Sequence, residues 1–278
     1  MSRFNIASVV SMSAMSLILA AGCGGDDTTS GNNDMIATGG DMAKACTKVK
    51  VSGQAISPET AMSEVSIALH AGMMPMPNPL TAGVTVVPET DKMQTVTASD
   101  AMGAWSFNGC ANTLTTPYIV ENTSFFASLS DPLPVGTTEI VNIPAHVIYK
   151  DGDKAVTKSL AAAGGPAQAA LLAQGFCFVD TLKSHNPDPI PEAVTIAVDE
   201  AGYDIYSIDF DAAGKAVATK SNDGGMTGRF VITKNGNTAK GTIHITATDK
   251  ATTGGFTYAK KACRIEPGIA VFFPYEHS

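Results

Sequence analysis

The chain has 278 residues, 44% of them hydrophobic and 16% charged, with a net charge of −8 at pH 7. That length is enough for two modest domains, and the acidic balance argues against nucleic acid and against an anionic membrane surface as partners. Few charges with much Thr, Ala, Gly and Val favour short strands and turns over long surface helices.

In chain order, residues 1–22 come first. Arg3 stands ahead of a stretch of apolar and small residues from Phe4 to Gly22. It is too short, and too rich in Ser and Ala, for a membrane span of about 20 strongly apolar residues. It reads as a secretory signal. The stretch ends in Leu19-Ala20-Ala21-Gly22-Cys23, which resembles the lipobox of bacterial lipoproteins, with Leu one place earlier than in the commonest form. The resemblance implies lipidation of Cys23 and loss of residues 1–22 as a lipoprotein signal peptide. Residues 23–45 contain little apolar matter that could fold, so they form a disordered tether. Gly24, in place of Asp, lacks the inner-membrane retention signal of Gram-negative lipoproteins, which implies the outer membrane. The expected partner at this end is therefore the membrane, through several acyl chains on Cys23.

The body follows. "TKVKVSGQA" places Val49 and Val51 on one face, "EVSIALHAG" Val65, Ile67 and Leu69, "GVTVVPET" Val84 and Val86, and "GAWSFNGC" Trp105 and Phe107. Each alternates with period two between Gly, Pro, Asn or Asp, the pattern of half-buried antiparallel strands. Val156 to Gly175 is rich in Ala and Leu. Pro166 and Gly175 give a short helix there a start and a stop, from about Pro166 to Gln174. Beyond it, "YDIYSIDFDAAGK" predicts a hairpin, and "GRFVITKNGN" with "GTIHITATD" predicts two strands about an Asn-Gly turn.

Phrases recur between the halves. "AGVTVVPE" from Ala82 matches "EAVTIAVDE" from Glu192, and "TASDAMGAWSF" from Thr97 matches "TKSNDGGMTGRFVI" from Thr219. In each of the latter a turn needs positive φ at Gly103 or Gly228, and alternating large residues re-enter the core: Trp105 and Phe107, or Phe230 and Ile232. A strand, a "GA-x-V"-like strand and then "T-x-x-D-G-x-F-x-F" resembles the carboxypeptidase regulatory-like, or transthyretin-like, domain over Lys48–Tyr149 and Gly175–Tyr275. The first copy lacks the Asp-Gly dipeptide. The resemblance implies an all-β chain of two Greek-key β-sandwiches joined by a short helix: residues 46–150, a linker at 151–175, and residues 176–278.

Of five cysteines, lipidation takes Cys23. The even remainder, Cys46, Cys110, Cys177 and Cys263, suggests disulfides in an exported chain, with four reduced, buried thiols as the alternative. Cys46–Cys110 with Cys177–Cys263 is the pairing that keeps each bridge within one half. No nucleophile elbow, Ser-x-x-Lys pair, His-Glu-x-x-His, phosphate loop or dinucleotide fingerprint occurs. His70, His146, His185, His244 and His277 are scattered, and His244 reads as a solvent-facing strand residue. Met73, Met74 and Met76 could hold Cu(I) but read as a Met- and Pro-rich loop. Asp209, Asp211 and Asp223 could serve Ca²⁺ but read as hairpin turns. "NPDPIPE" from Asn186 reads as a connection.

These features predict no catalytic residue, no metal and no cofactor. They predict a non-catalytic outer-membrane lipoprotein acting in adhesion, scaffolding, or protein or carbohydrate binding. The alternatives are an accessory subunit of an envelope enzyme and a Cu- or Ca-binding module.

Overall fold

A computed structural model describes residues 46–73, 78–182, 194–224, 228–234, 241–250 and 259–276. The signal at 1–22, Cys23 and the tether at 23–45 lie outside the described residues, as do Met74, Met76, Asn186–Glu192, His185, His277 and the Asn-Gly turn at 235–240.

The protein is all-β. In chain order its elements are β1 (Lys48–Ile56), α1 (Pro58–His70), β2 (Val86–Pro88), β3 (Ala104–Cys110), β4 (Thr113–Thr115), β5 (Pro117–Ile119), β6 (Ala127–Leu129), β7 (Leu133–Val135) and β8 (Ile140–His146). There follow α2 (Val156–Ala162), α3 (Gln168–Gln174), β9 (Phe176–Leu182), β10 (Val194–Val198), β11 (Tyr203–Phe210), β12 (Ala216–Lys220), β13 (Arg229–Lys234), β14 (Gly241–Asp249), β15 (Lys261–Ile265) and β16 (Ile269–Glu276).

The largest sheet has eight strands in the order β12-β11-β13-β9-β16-β6-β5-β2, and two three-stranded sheets, β3-β1-β8 and β10-β14-β15, accompany it. One sandwich core joins Val49, Val51, Trp105 and Phe107 to Val86 and Ile119. A second joins Val179, Phe230 and Ile232 to Ile196, Ile243 and Ile245. Period-two alternation explains a third core on the other face of the large sheet. Phe176, Phe178, Val231 and Phe272 point there, against Val156 and Leu160 of α2 and Leu171 of α3. The middle strands are thus covered on both faces, which is why Arg229–Thr233 is buried without interruption.

Four outcomes differ from expectation. First, no break falls at 151–175. The last strand, β16, lies parallel to both β9 and β6, pairing Val271 with Cys177 and with Leu129. It stitches the halves into one sheet, and Ala45–Ser278 is one compact unit. Second, "EVSIALHAG" belongs to α1, not to a strand. Ser57 Oγ accepts the Thr60 N–H at 3.1 Å, Pro58 opens the helix, and Glu59 sits in its first turn. These are helix-start signals that the alternation of Val65, Ile67 and Leu69 masked. Third, the linker holds two helices. Gly175, at φ 73°, ends the second where expected. Fourth, β13 and β14 do not pair. β13 lies between β11 and β9, and β14 lies between β10 and β15.

Other expectations have direct counterparts. β11 and β12 form the antiparallel hairpin. Gly103 and Gly228 take φ 68° and 62°. The disulfides are Cys46–Cys110 and Cys177–Cys263.

Candidate functional site

Among the described residues, polar side chains gather in an open groove and in a closed cluster. The groove lies over β1, β3 and the start of β8. Alternation sends Trp105 and Phe107 inward and leaves Ala104 and Ser106 outward. The antiparallel register then sets Ser52 opposite Ser106 and Gln54 opposite Ala104. Lys50 and Glu139 form an ion pair at 2.9 Å at one end. One wall is the segment 97–100, just ahead of the turn at Ala101–Met102. Asp100 Oδ1 accepts the Met102 and Ala104 N–H groups at 2.8 and 2.9 Å, and Ser99 Oγ donates to the Thr81 carbonyl at 2.8 Å. The other wall contains Val141, 54% exposed, and Asn142, whose φ of 63° accompanies a register shift between β1 and β8. The space enclosed is about 670 Å³. Beneath the groove, in the core, the indole Nε1 of Trp105 is buried without a hydrogen-bond partner. Hydroxyls, amides and one ion pair on rigid strands can bind by hydrogen bonding; no nucleophile–base pair stands among them.

The closed cluster lies where α1 meets β8, β9 and β13. Arg229 Nη2 donates to Asp180 Oδ2 at 2.7 Å and its Nη1 to the Pro58 carbonyl at 2.7 Å. Asp180 and Arg229 are 2% and 4% exposed. Glu59, wholly buried, accepts the Tyr149 N–H on Oε2 at 2.7 Å and the Val156 N–H on Oε1 at 2.9 Å. Val156 opens α2, so Glu59 caps that helix from another element, where Ala155 has no side chain to do so. Burial raises the Glu59 pKa to about 8, against the two N–H bonds and the Arg229 charge. His146 stacks on Phe272 with ring centroids 3.8 Å apart, and its Nδ1 is buried without a partner. Burial, and then Arg229, lower its pKa to about 3, which keeps it neutral.

The sequence reading named none of these four as a group. Arg229, Asp180, Glu59 and His146 come from four elements far apart in the chain. A local signal existed only for Glu59, in Ser57-Pro58-Glu59.

No protein-family model matches the chain, and no curated protein matches it. Among solved structures, the chain is similar to the Bacillus anthracis TIE protein, with 13% identity and a TM-score of 0.25 over 82% of this chain. It spans 34% of that protein's chain. It is also similar to GBS52, the minor pilin of the Gram-positive pathogen Streptococcus agalactiae. There the identity is 12% and the TM-score 0.24, over 82% of this chain and 94% of that one.

Of the remaining described candidates, Asp209 has a buried Oδ1 without a hydrogen-bond partner, whereas His244, Asp211 and Asp223 have ordinary structural roles. His244 is half-exposed and meets Glu200, Nδ1 to Oε1, at 2.6 Å. That contact first, and the His244 N–H second, lower the Glu200 pKa. Asp211 Oδ1 accepts the Ala213 and Lys215 N–H groups at 2.9 Å, closing the β11–β12 turn. Asp223 pairs with Lys250. Met73 is exposed. No group of three or more His, Cys, Asp or Glu that could hold a metal ion occurs among the described residues. No described helix is long and apolar enough to cross a membrane.

Proposed function

We propose that the protein is a non-catalytic lipoprotein of the outer membrane. Cys23 carries the lipid, residues 23–45 are the tether, and the β body acts in adhesion or scaffolding by binding a protein or a carbohydrate. Its two halves are proposed to be of the carboxypeptidase regulatory-like kind. One observation carries the reading: Glu59, Asp180 and Arg229 are buried out of reach of a bound molecule, whereas the open concavity over β1 and β3 is lined by hydroxyls and amides beside three charged side chains that already have partners, Lys50 with Glu139 and Asp100 with the Met102 and Ala104 N–H groups. An enzyme needs its titratable groups within reach of a bound molecule; a binding surface needs donors and acceptors on a rigid frame.

Ser106 points outward from the middle of β3, so Ser106→Trp fills the groove without disturbing the core. The variant is expected to melt like the parent and to lose at least tenfold in affinity for the glycans that the parent retains on a glycan array, or for the envelope protein cross-linked to it. Unchanged binding places recognition elsewhere. Cys23→Ala is expected to abolish palmitate labelling and to move the protein from the membrane fraction to the soluble one. Retention of both overturns the anchor.

A further inference from the structure

The described side chains of helix α1 fasten it chiefly by polar contacts. Arg229 holds the Pro58 carbonyl, and Glu59 accepts the Tyr149 and Val156 N–H groups. Ser63 Oγ donates to the Gly214 carbonyl at 2.7 Å, and Ser66 Oγ to the Phe210 carbonyl at 2.9 Å. Among the described side chains of the helix, Met62 is its apolar member of the core. Elements held with little apolar burial open at lower free energy than the strands they cover.

Charge counting adds a condition. The interior here holds one guanidinium, Arg229, and two carboxyls, Asp180 and Glu59, all nearly or wholly buried. Asp180 already pairs with Arg229, and His146 is neutral. Glu59 must therefore keep a proton or leave an uncompensated buried charge.

We propose that Glu59 is a pH-operated latch: with its carboxyl protonated it clamps α1 to the start of α2, and on ionising it releases α1 while the sheets stay folded.

Other charged groups stand on the elements packed against α1. Lys150, Asp151, Asp153 and Lys154 lie in the 149–156 segment, and Asp209, Asp211 and Lys215 at the β11–β12 hairpin. Lys150 pairs with Glu121, Asp151 with Lys158, and Lys154 with Glu64 at 3.9 Å. Arg229 is the cation whose charge acts on Glu59, and it is shared with Asp180.

The sign is set by a carboxyl whose pKa is higher latched than free. The latch is fully closed below pH 4.5 and is lost as pH rises through about 8. His146 acts oppositely, its contribution falling only as pH drops below 6.5, so pH 6.5–8 isolates Glu59.

The test is hydrogen exchange on the full-length chain. After correction for intrinsic exchange, protection of the α1 amides should fall roughly tenfold from pH 6.5 to 8, while the β9 and β13 amides hold. Glu59→Gln, which carries no titrating proton, should show α1 protection that is flat across this range, at whatever level the variant sets. Equal loss in α1 and the sheets would mean global destabilisation and overturn the proposal, as would pH-independent protection in the parent. The parent's own profile decides the matter if the variant fails to fold.

Discussion

Replacing Arg229 with methionine is expected to destabilise the protein by about 3–5 kcal/mol, seen as a lower urea midpoint at pH 6. The guanidinium neutralises Asp180 and satisfies the Pro58 carbonyl. Without it, a carboxylate 2% exposed loses its counter-ion, and the start of α1 loses a donor. The loss is that of an orphaned charge rather than of a favourable pair. The double variant Arg229→Met, Asp180→Leu should therefore recover most of the stability, because apolar isosteres of a buried pair are often neutral or better. A single variant costing under about 1 kcal/mol would show that the pair is hydrated in solution.

Removing the inner disulfide should have an effect of similar size. Cys177→Ala with Cys263→Ala is expected to cost about 4–5 kcal/mol in the chain-entropy account of a bridge spanning 86 residues. Both sulfurs lie in the core between β9 and β15 at 0% exposure, so the alanines also leave space that neighbours fill only in part. The Cys46–Cys110 bridge, spanning 64 residues, closes a comparable loop, but both cysteines are only partly buried. Mild reductant should open it first, giving two steps when free thiols are counted against time. Simultaneous release would mean that the second core opens as readily as the chain's edge.

The alternating strands could be read in the sequence because period two is a local property. Val49 and Val51, Trp105 and Phe107, and the β11–β12 hairpin needed only their immediate neighbours. Helix α1 was not legible because, among its described residues, the buried Glu59 and Ser63 are polar. Met62 is buried beside them while Ile67 is 39% exposed, so the alternation at Ile67 did not mark the face that packs. Ser57 and Pro58 were the better guide, since caps depend on backbone groups rather than on burial. The groove was half legible: alternation marks Ser52 and Ser106 as outward-facing, but their juxtaposition is a matter of strand register. The buried cluster was not legible as a cluster, although Ser57-Pro58 marked the helix start that carries Glu59. Glu59, His146, Asp180 and Arg229 look like surface residues until the fold closes over them.

The amino-acid order alone determined that this body is made of short strands and carries four cysteines able to pair, because backbone alternation, turn glycines and an even count of cysteines act over a few residues; the two bridges themselves are seen in the structure. Only the tertiary structure decided that β16 enters between β9 and β6. A strand edge offers the same N–H and C=O groups to any neighbour, and the choice among neighbours is made by which side chains are left to be covered. The same long-range closure set one guanidinium beside two carboxyls, and with it the pH at which α1 is expected to let go.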